Sequence, residues 1–400
     1  MKQLERFLTL VVLMTLNVSL FAAAPLKPGT WQTVTKEAGD PYTLLPVVAV
    51  DQAGRVVMAY LRSESLNSGI NTMTVYVKRW NGEEWESLGT FINERRHRRA
   101  GAPSLVIDHD NRPLISWYEE PLHGGYLVFV KRWNGEEWES LGMLNDSARD
   151  SALLPFLAVD RDNTPHVLFR QHLRATGTQQ MPVKRLKGNE WETVGDTRAG
   201  QATPTGIAID RRGIITISYH ERVGYSVTHL KVKRWNGRQW LQFGGVINDY
   251  VIDSWLPASL AVSPGGRPYL AWREFDEALD NYVLRVASYE WSTRQWVDYP
   301  LAAGSGAEYV QNNVRLLIQD QARPIIAWQD QTDGSVHVQR WNWYHRDWQD
   351  LGGQFITGVN RGFDLAVDAK GSFYLGHGIH PGLYQGGLYL AGFSESMRQR

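Results

Sequence analysis

The chain has 400 residues, 42 basic and 42 acidic side chains, and no cysteine. Zero net charge gives no general pull toward nucleic acid, and the lack of thiols excludes disulfides, thiolate metal sites and lipid-modified cysteine. With 37 glycines, 17 tryptophans and 17 tyrosines, the composition suits a folded, strand-rich protein stabilised by packing alone.

Residues 1–24 place Lys2 and Arg6 ahead of an apolar stretch that ends in Ala22, Ala23 and Ala24, the pattern of a secretory signal peptide. The stretch is shorter than the ~20 residues of a membrane span. An extracytoplasmic chain, periplasmic or secreted, with no transmembrane segment after cleavage is therefore expected. Pro25 leaves the cleavage point open. Residues 25–400 are expected to form a single domain.

Two motifs then alternate. The first is a short apolar strand, a turn and a second β-branched or aromatic strand: "PVVAVDQAGRVVMAY" from Pro46, then copies from Pro103, Pro155, Pro204, Pro257, Val314 and Phe363. Its turn residues, Asp51, Asp108, Asp160, Asp210, Ser263, Gln319 and Asp368, lie 57, 52, 50, 53, 56 and 49 residues apart. The second motif, "KRWNGEEWESLG", is identical at Lys78–Gly89 and Lys131–Gly142 and recurs in weaker form from Lys184, Lys233, Tyr289 and Gln339. It supplies a third and fourth strand around an Asn-Gly turn. A four-strand unit at this period predicts an all-β fold, a seven-bladed β-propeller of antiparallel blades.

The seventh unit ends after its third strand, "GLYLAGF" (387–393), while "GTWQTV" (29–34) aligns with the fourth strands and puts Trp31 in the column of Trp85, Trp138, Trp191, Trp240, Trp296 and Trp348. The N-terminal strand is thus expected to complete the last blade, which removes the open edge between first and last blades.

The repeated residues read as structural. Trp pairs fill the widening wedge between blades, Asn-Gly supplies the positive φ of a tight hairpin, and the Asp column accepts N–H groups of its own turn. Each turn offers too few oxygens for calcium, the eleven histidines show no zinc spacing, and no glycine-rich loop leads into a helix. No metal and no cofactor are expected.

The W-x-G-x-x-W-x-x-L-G spacing of Trp80–Gly89 and Trp133–Gly142 resembles bacterial seven-bladed propellers with Trp/Gly-rich repeats, including tectonin-like lectins, over nearly all of the chain after residue 24. The resemblance implies architecture and lectin-like binding without naming a ligand. Gly82-x-x-Trp85 is also similar to the second half of a sialidase Asp box, but Trp80 stands where the box has Asp and Lys78 where it has Ser or Thr, and sialidases have six blades. Kelch repeats are similar in length, yet their paired glycines are absent. None of these resemblances supplies a catalytic residue.

Function is expected on the face that carries the second-to-third-strand and blade-to-blade connections, which are long and different in every blade. Nine residues after the turn anchor comes an aromatic column, Tyr60, Trp117, Phe169, Tyr219, Trp272, Trp328 and His377, read as packing. Two residues later lie Arg62, Glu119, Gln171, Glu221, Glu274, Asp330 and Ile379. Trp255 with Asp253, Tyr250, Asn248 and Asp249, beside Glu221 or Glu274, suits a sugar platform, because a pyranose has an apolar C–H face and a polar rim. Arg95, Arg96, Arg98 and Arg99 in one loop suit an anionic partner. The reading that follows is an exported non-enzymatic binding propeller for a glycan or a protein. Its alternatives are a glycosidase-like enzyme using Glu119, Glu221, Glu274 or Asp330, and a structural scaffold in an extracytoplasmic complex; the oligomeric state is left open.

Overall fold

The computed structural model describes residues 29–38, 43–65, 71–90, 92–95, 98–121, 124–224, 227–248, 258–302, 310–319, 322–330, 335–352, 360–379 and 387–394. The expected signal peptide lies outside them. Among the described residues there is no α-helix, and no helix is long and apolar enough to cross a membrane.

Seven antiparallel sheets follow one another, each with four strands in order, and blade 3 adds a short strand, Thr178–Gln180, on its second. The first strands are Thr43–Val50, Ala100–Ile107, Ser151–Val159, Ala202–Ile209, Ala258–Val262, Val310–Gln319 and Asn360–Val367. Each lies against the first strand of the next blade and the seventh against the first, so the ring is closed. Closure uses the expected segment. Gln32–Ala38 pairs with Gly387–Phe393, with Gln32 opposite Gly392, and the Gly29 N–H donates to the Ser394 carbonyl at 2.8 Å. Trp31 packs on Phe393 with ring centroids 5.4 Å apart.

The outer tryptophans explain why one dodecapeptide occurs twice. Within blades the rings pair across the hairpin, as in Trp80–Trp85 and Trp133–Trp138, with centroids 5.6 and 5.5 Å apart. Between blades, the indole N–H of Trp138, Trp191, Trp240, Trp296 and Trp348 donates to a backbone carbonyl of the preceding blade: Leu88, Leu141, Val194, Phe243 and Pro300, at 2.7, 2.7, 2.7, 3.3 and 2.8 Å. The column is therefore a set of directional bolts as well as apolar filling.

The turns divide their labour differently from the sequence expectation. Gly82, Gly135 and Gly237 have φ of 109, 112 and 94°, but the preceding asparagines do not enter the left-handed region. Instead, Asn81 Oδ1 accepts the N–H groups of Glu83 and Glu84, both at 2.9 Å, and Asn134 and Asn236 do the same in their blades. The loops hold four residues, since Trp80 faces Trp85, and a side-chain acceptor organises them. The Asp column behaves as expected: Asp108 Oδ1, for example, accepts the N–H groups of Asp110 and Arg112 at 3.0 and 2.8 Å.

Among the described residues, six of the seven inner strands carry a bulge near their start, so the same offset from a proline does not mark the same place in every blade. Leu44, Gly101 and Leu153 lie opposite Leu61, Tyr118 and Arg170, whereas Ala202 lies opposite Glu221, one place further along. The residues two before each proline are therefore not equivalent positions, because the prolines of blades 1 to 3 sit within the bulge. Leu45, Ala102 and Leu154, just before those prolines, have φ of 49, 45 and 55°, a conformation that costs energy for a residue with a Cβ.

Candidate functional site

On the loop-rich face the aromatic column is core: Tyr60, Trp117, Phe169, Tyr219, Trp272 and Trp328 are at most 3% exposed, and His377 is 5% exposed. The polar column beyond it is more varied. Glu119 is 1% exposed. Its carboxylate accepts the Trp117 indole N–H at 2.8 Å and the amide N–H groups of Glu94 and Arg95 at 2.6 and 3.2 Å, tying the blade 1 to blade 2 connection to strand Pro113–Glu119. Burial raises its pKa, and those hydrogen bonds oppose the rise. Glu274, also 1% exposed, accepts the Trp272 indole N–H and Arg285 Nε, each at 2.9 Å, while Arg285 Nη2 reaches Asp276 at 2.7 Å.

Gln171 is buried and donates to Asp146 at 2.9 Å. Glu221 and Asp330 keep side chains 25% and 16% exposed, the first paired with Lys231 and the second 4.0 Å from the His337 ring nitrogen. Of the arginine loop, Arg95 and Arg99 are exposed and Arg98 half-buried. Arg96, Asp249, Tyr250, Asp253 and Trp255 lie outside the described residues.

A column that sequence reading passed over holds the connections. Asn93, Asn145 and Asn248 accept the amide N–H groups of Val75, Val128 and Leu230 at 2.9, 2.9 and 2.7 Å, and their Nδ2 groups donate to the carbonyls of Met73, Tyr126 and Thr228. Asn248, expected beside the sugar platform, is thus a buried clamp. The signal was present in the sequence, as an asparagine eight residues after Trp85 and Trp240 and seven after Trp138. Lys131 and Lys184 add Nζ hydrogen bonds to the Ile92 and Leu144 carbonyls at 2.8 and 2.6 Å, and Lys233 bonds the Thr197 carbonyl.

The concavity that these columns surround is the axial channel, a cavity of about 460 Å³ lined by the first strands of all seven blades. Its wall is uneven. Blades 1 to 3 bring Leu45, Pro46, Ala102, Pro103, Leu154, Pro155 and Phe156 beside Ser104, while blades 4 to 7 mix the apolar Pro204, Ile207, Leu260 and Phe363 with Thr205, His220, Ser259, Arg315 and Asp364.

One inner-strand position, four residues before the turn anchor, sets much of this chemistry: Val47, Ser104, Phe156, Gly206, Ser259, Arg315 and Asp364. Ser104, Ser259 and Asp364 accept amide N–H groups of the next blade, those of Leu157, Leu316 and Val48, at 3.1, 2.9 and 2.9 Å. Arg315 Nε donates to Asp364 Oδ1 at 2.5 Å, with side chains 30% and 14% exposed. Gly206 has no room for a side chain, since a Cβ there would fall 2.9 Å from Leu260 Cβ.

Among the described residues no group of three or more His, Asp or Glu side chains is placed to hold a metal ion. No family model matches the chain and no curated protein is similar to it. Solved structures share the fold. The Hadza microbial sialidase Hz136 is 14% identical, with 79% of this chain and 69% of that one covered and a TM-score of 0.55. The β-propeller domain of the Trilobed protease from Pyrococcus furiosus, described as having an open velcro topology, is 12% identical over 88% of this chain and 94% of its own, at 0.54. The GH93 α-L-arabinofuranosidase of Fusarium graminearum, solved with arabinobiose, is 10% identical over 91% and 98%, at 0.50. At such identities the likeness concerns the propeller alone.

Proposed function

We propose that this chain is an exported, non-enzymatic binding propeller, with residues 1–24 as its leader and 25–400 as its single domain, that takes a glycan or a protein partner on the loop-rich face and at the axial cavity. The observation that carries the reading is the condition of Glu119 and Glu274. A glycosidase needs two carboxyl groups about 5–9 Å apart that reach the sugar, yet both of these are 1% exposed and spend their oxygens on indole, guanidinium and amide donors. They anchor strands and connections. The sialidase and the arabinofuranosidase that share the fold are compatible with binding and with hydrolysis alike.

A glycan array probed with residues 25–400, followed by a hydrolysis assay on each hit, tests the reading. Binding without turnover is expected. Turnover would favour the glycosidase reading, with Glu221 and Asp330 as its acids, since these retain partly open side chains.

A further inference from the structure

Two surfaces offer ligand chemistry beyond the columns already described: the exposed rings of Trp291, Trp343 and Tyr344 on the short-turn side, and the axial cavity. The exposed indoles pack edge-on to Phe243 of blade 4 and Tyr299 of blade 5, so they read as caps on blade seams. The cavity carries the argument further.

Its volume, about 460 Å³, is in the range of small-molecule sites. Blades 2 and 3 offer the rings of Pro103 and Pro155 and the side chain of Phe156. Facing them, the Arg315–Asp364 pair sets a donor beside an acceptor, with Ser259 nearby on the same wall. Neighbouring hydroxyls of a sugar match that pair, one accepting from the guanidinium and one donating to the carboxylate.

The charge of the wall narrows the class. Arg315 is already neutralised by Asp364 at 2.5 Å, whereas a sugar carboxylate or phosphate calls for guanidinium forks that are still unpaired. Resting on the binding reading above, we infer that the axial cavity receives one uncharged pyranose-sized sugar residue, its C–H face on Pro155 and Phe156 and its hydroxyls on Arg315, Asp364 and Ser259.

Saturation-transfer NMR and calorimetric titration of residues 25–400 with neutral hexoses and N-acetylhexosamines, and in parallel with uronic and sialic acids, test this. Neutral sugars are expected to bind and the acidic ones to bind at least about tenfold more weakly, a gap of ~1.4 kcal/mol. Phe156→Ala and Arg315→Leu should each weaken neutral-sugar binding roughly tenfold or more, as truncation of a central contact does. Should Arg315→Leu fail to fold, Phe156→Ala, which removes no hydrogen bond, decides. Neutral-sugar binding unchanged in the folded variants would overturn the cavity assignment while leaving the binding propeller intact. A preference for acidic sugars would overturn the charge argument, and no saccharide binding by the unaltered chain would overturn the assignment together with the glycan reading beneath it.

Discussion

The fourth-strand tryptophans and the inner-strand position four residues before each turn belong to the same blades but differ in how often their chemistry repeats. At the outer radius, blades 2 to 6 use one residue and one bond, an indole N–H donated to the preceding blade. At the inner radius the seven blades use six residue types, and a mostly apolar arc over blades 1 to 3 faces a mixed one that carries the Arg315–Asp364 pair. A packing problem that recurs selects one solution and repeats it; a cavity that must distinguish the faces of a ligand cannot be lined seven times by the same residue. The contrast separates what holds this ring from what the ring presents.

The closing seam should show the largest effect. A chain beginning at Thr35 lacks Trp31 and half of the strand that completes blade 7, and loss of one such aromatic costs about 3–5 kcal/mol, much of a typical net stability. Calorimetry should show a melting temperature many degrees lower, or no cooperative transition. Unchanged melting would break the circular closure.

His377 is the odd member of the repeated aromatic column. It is buried, stacks on Tyr389 at 5.2 Å, and burial pushes its pKa down to about 4. The folded state keeps it neutral while the unfolded chain takes up a proton near pH 6.5, so its contribution is present above that pH and is lost as pH falls toward 4. The loss is on the order of 3 kcal/mol. Urea unfolding at several pH values should show stability falling across this window, and His377→Phe should flatten the fall; an equal pH dependence in both proteins would remove His377 from the explanation.

Smaller effects distinguish bolted seams from the closing one. Trp240→Phe keeps an aromatic ring but strands the Val194 carbonyl, a loss of about 1–3 kcal/mol. Trp85 has the same place in blade 1, yet its buried indole N–H has no acceptor among the described residues. Trp85→Phe should therefore cost less than about 1 kcal/mol by chemical denaturation. Equal losses would show that packing alone sets these seams. The inner ring should be read in binding more than in stability: Phe156→Ala, at a half-buried position, should cost less than about 2 kcal/mol and weaken neutral-sugar binding roughly tenfold or more.

Much of the ring was legible because its problems repeat. The Asp turns, the Trp column and the N-terminal strand recur at one period, and each residue type has a job it performs alone or with its nearest neighbours. The bulges were not legible, since a proline one place earlier or later reads alike until strand register is known. Glu119 looked like a ligand group because acidic residues at strand ends are usually solvated. Only the tertiary path of the connection, which brings the Glu94 and Arg95 amides onto it, reveals an internal anchor. Arg315 and Asp364 stand 49 residues apart in the two most degenerate copies of the first motif, where nothing local marks them as a pair. Asn93, Asn145 and Asn248 did carry a periodic signal, but they lie in connections whose length and sequence otherwise vary.

On the glycan reading, this propeller binds saccharide and leaves it intact. The most direct test is one sample in which residues 25–400 are titrated with an array-positive oligosaccharide and then watched by NMR for new reducing ends. Saturable binding with the sugar signals unchanged overnight is predicted. Steady release of product that disappears in Glu221→Gln or Asp330→Asn would contradict it.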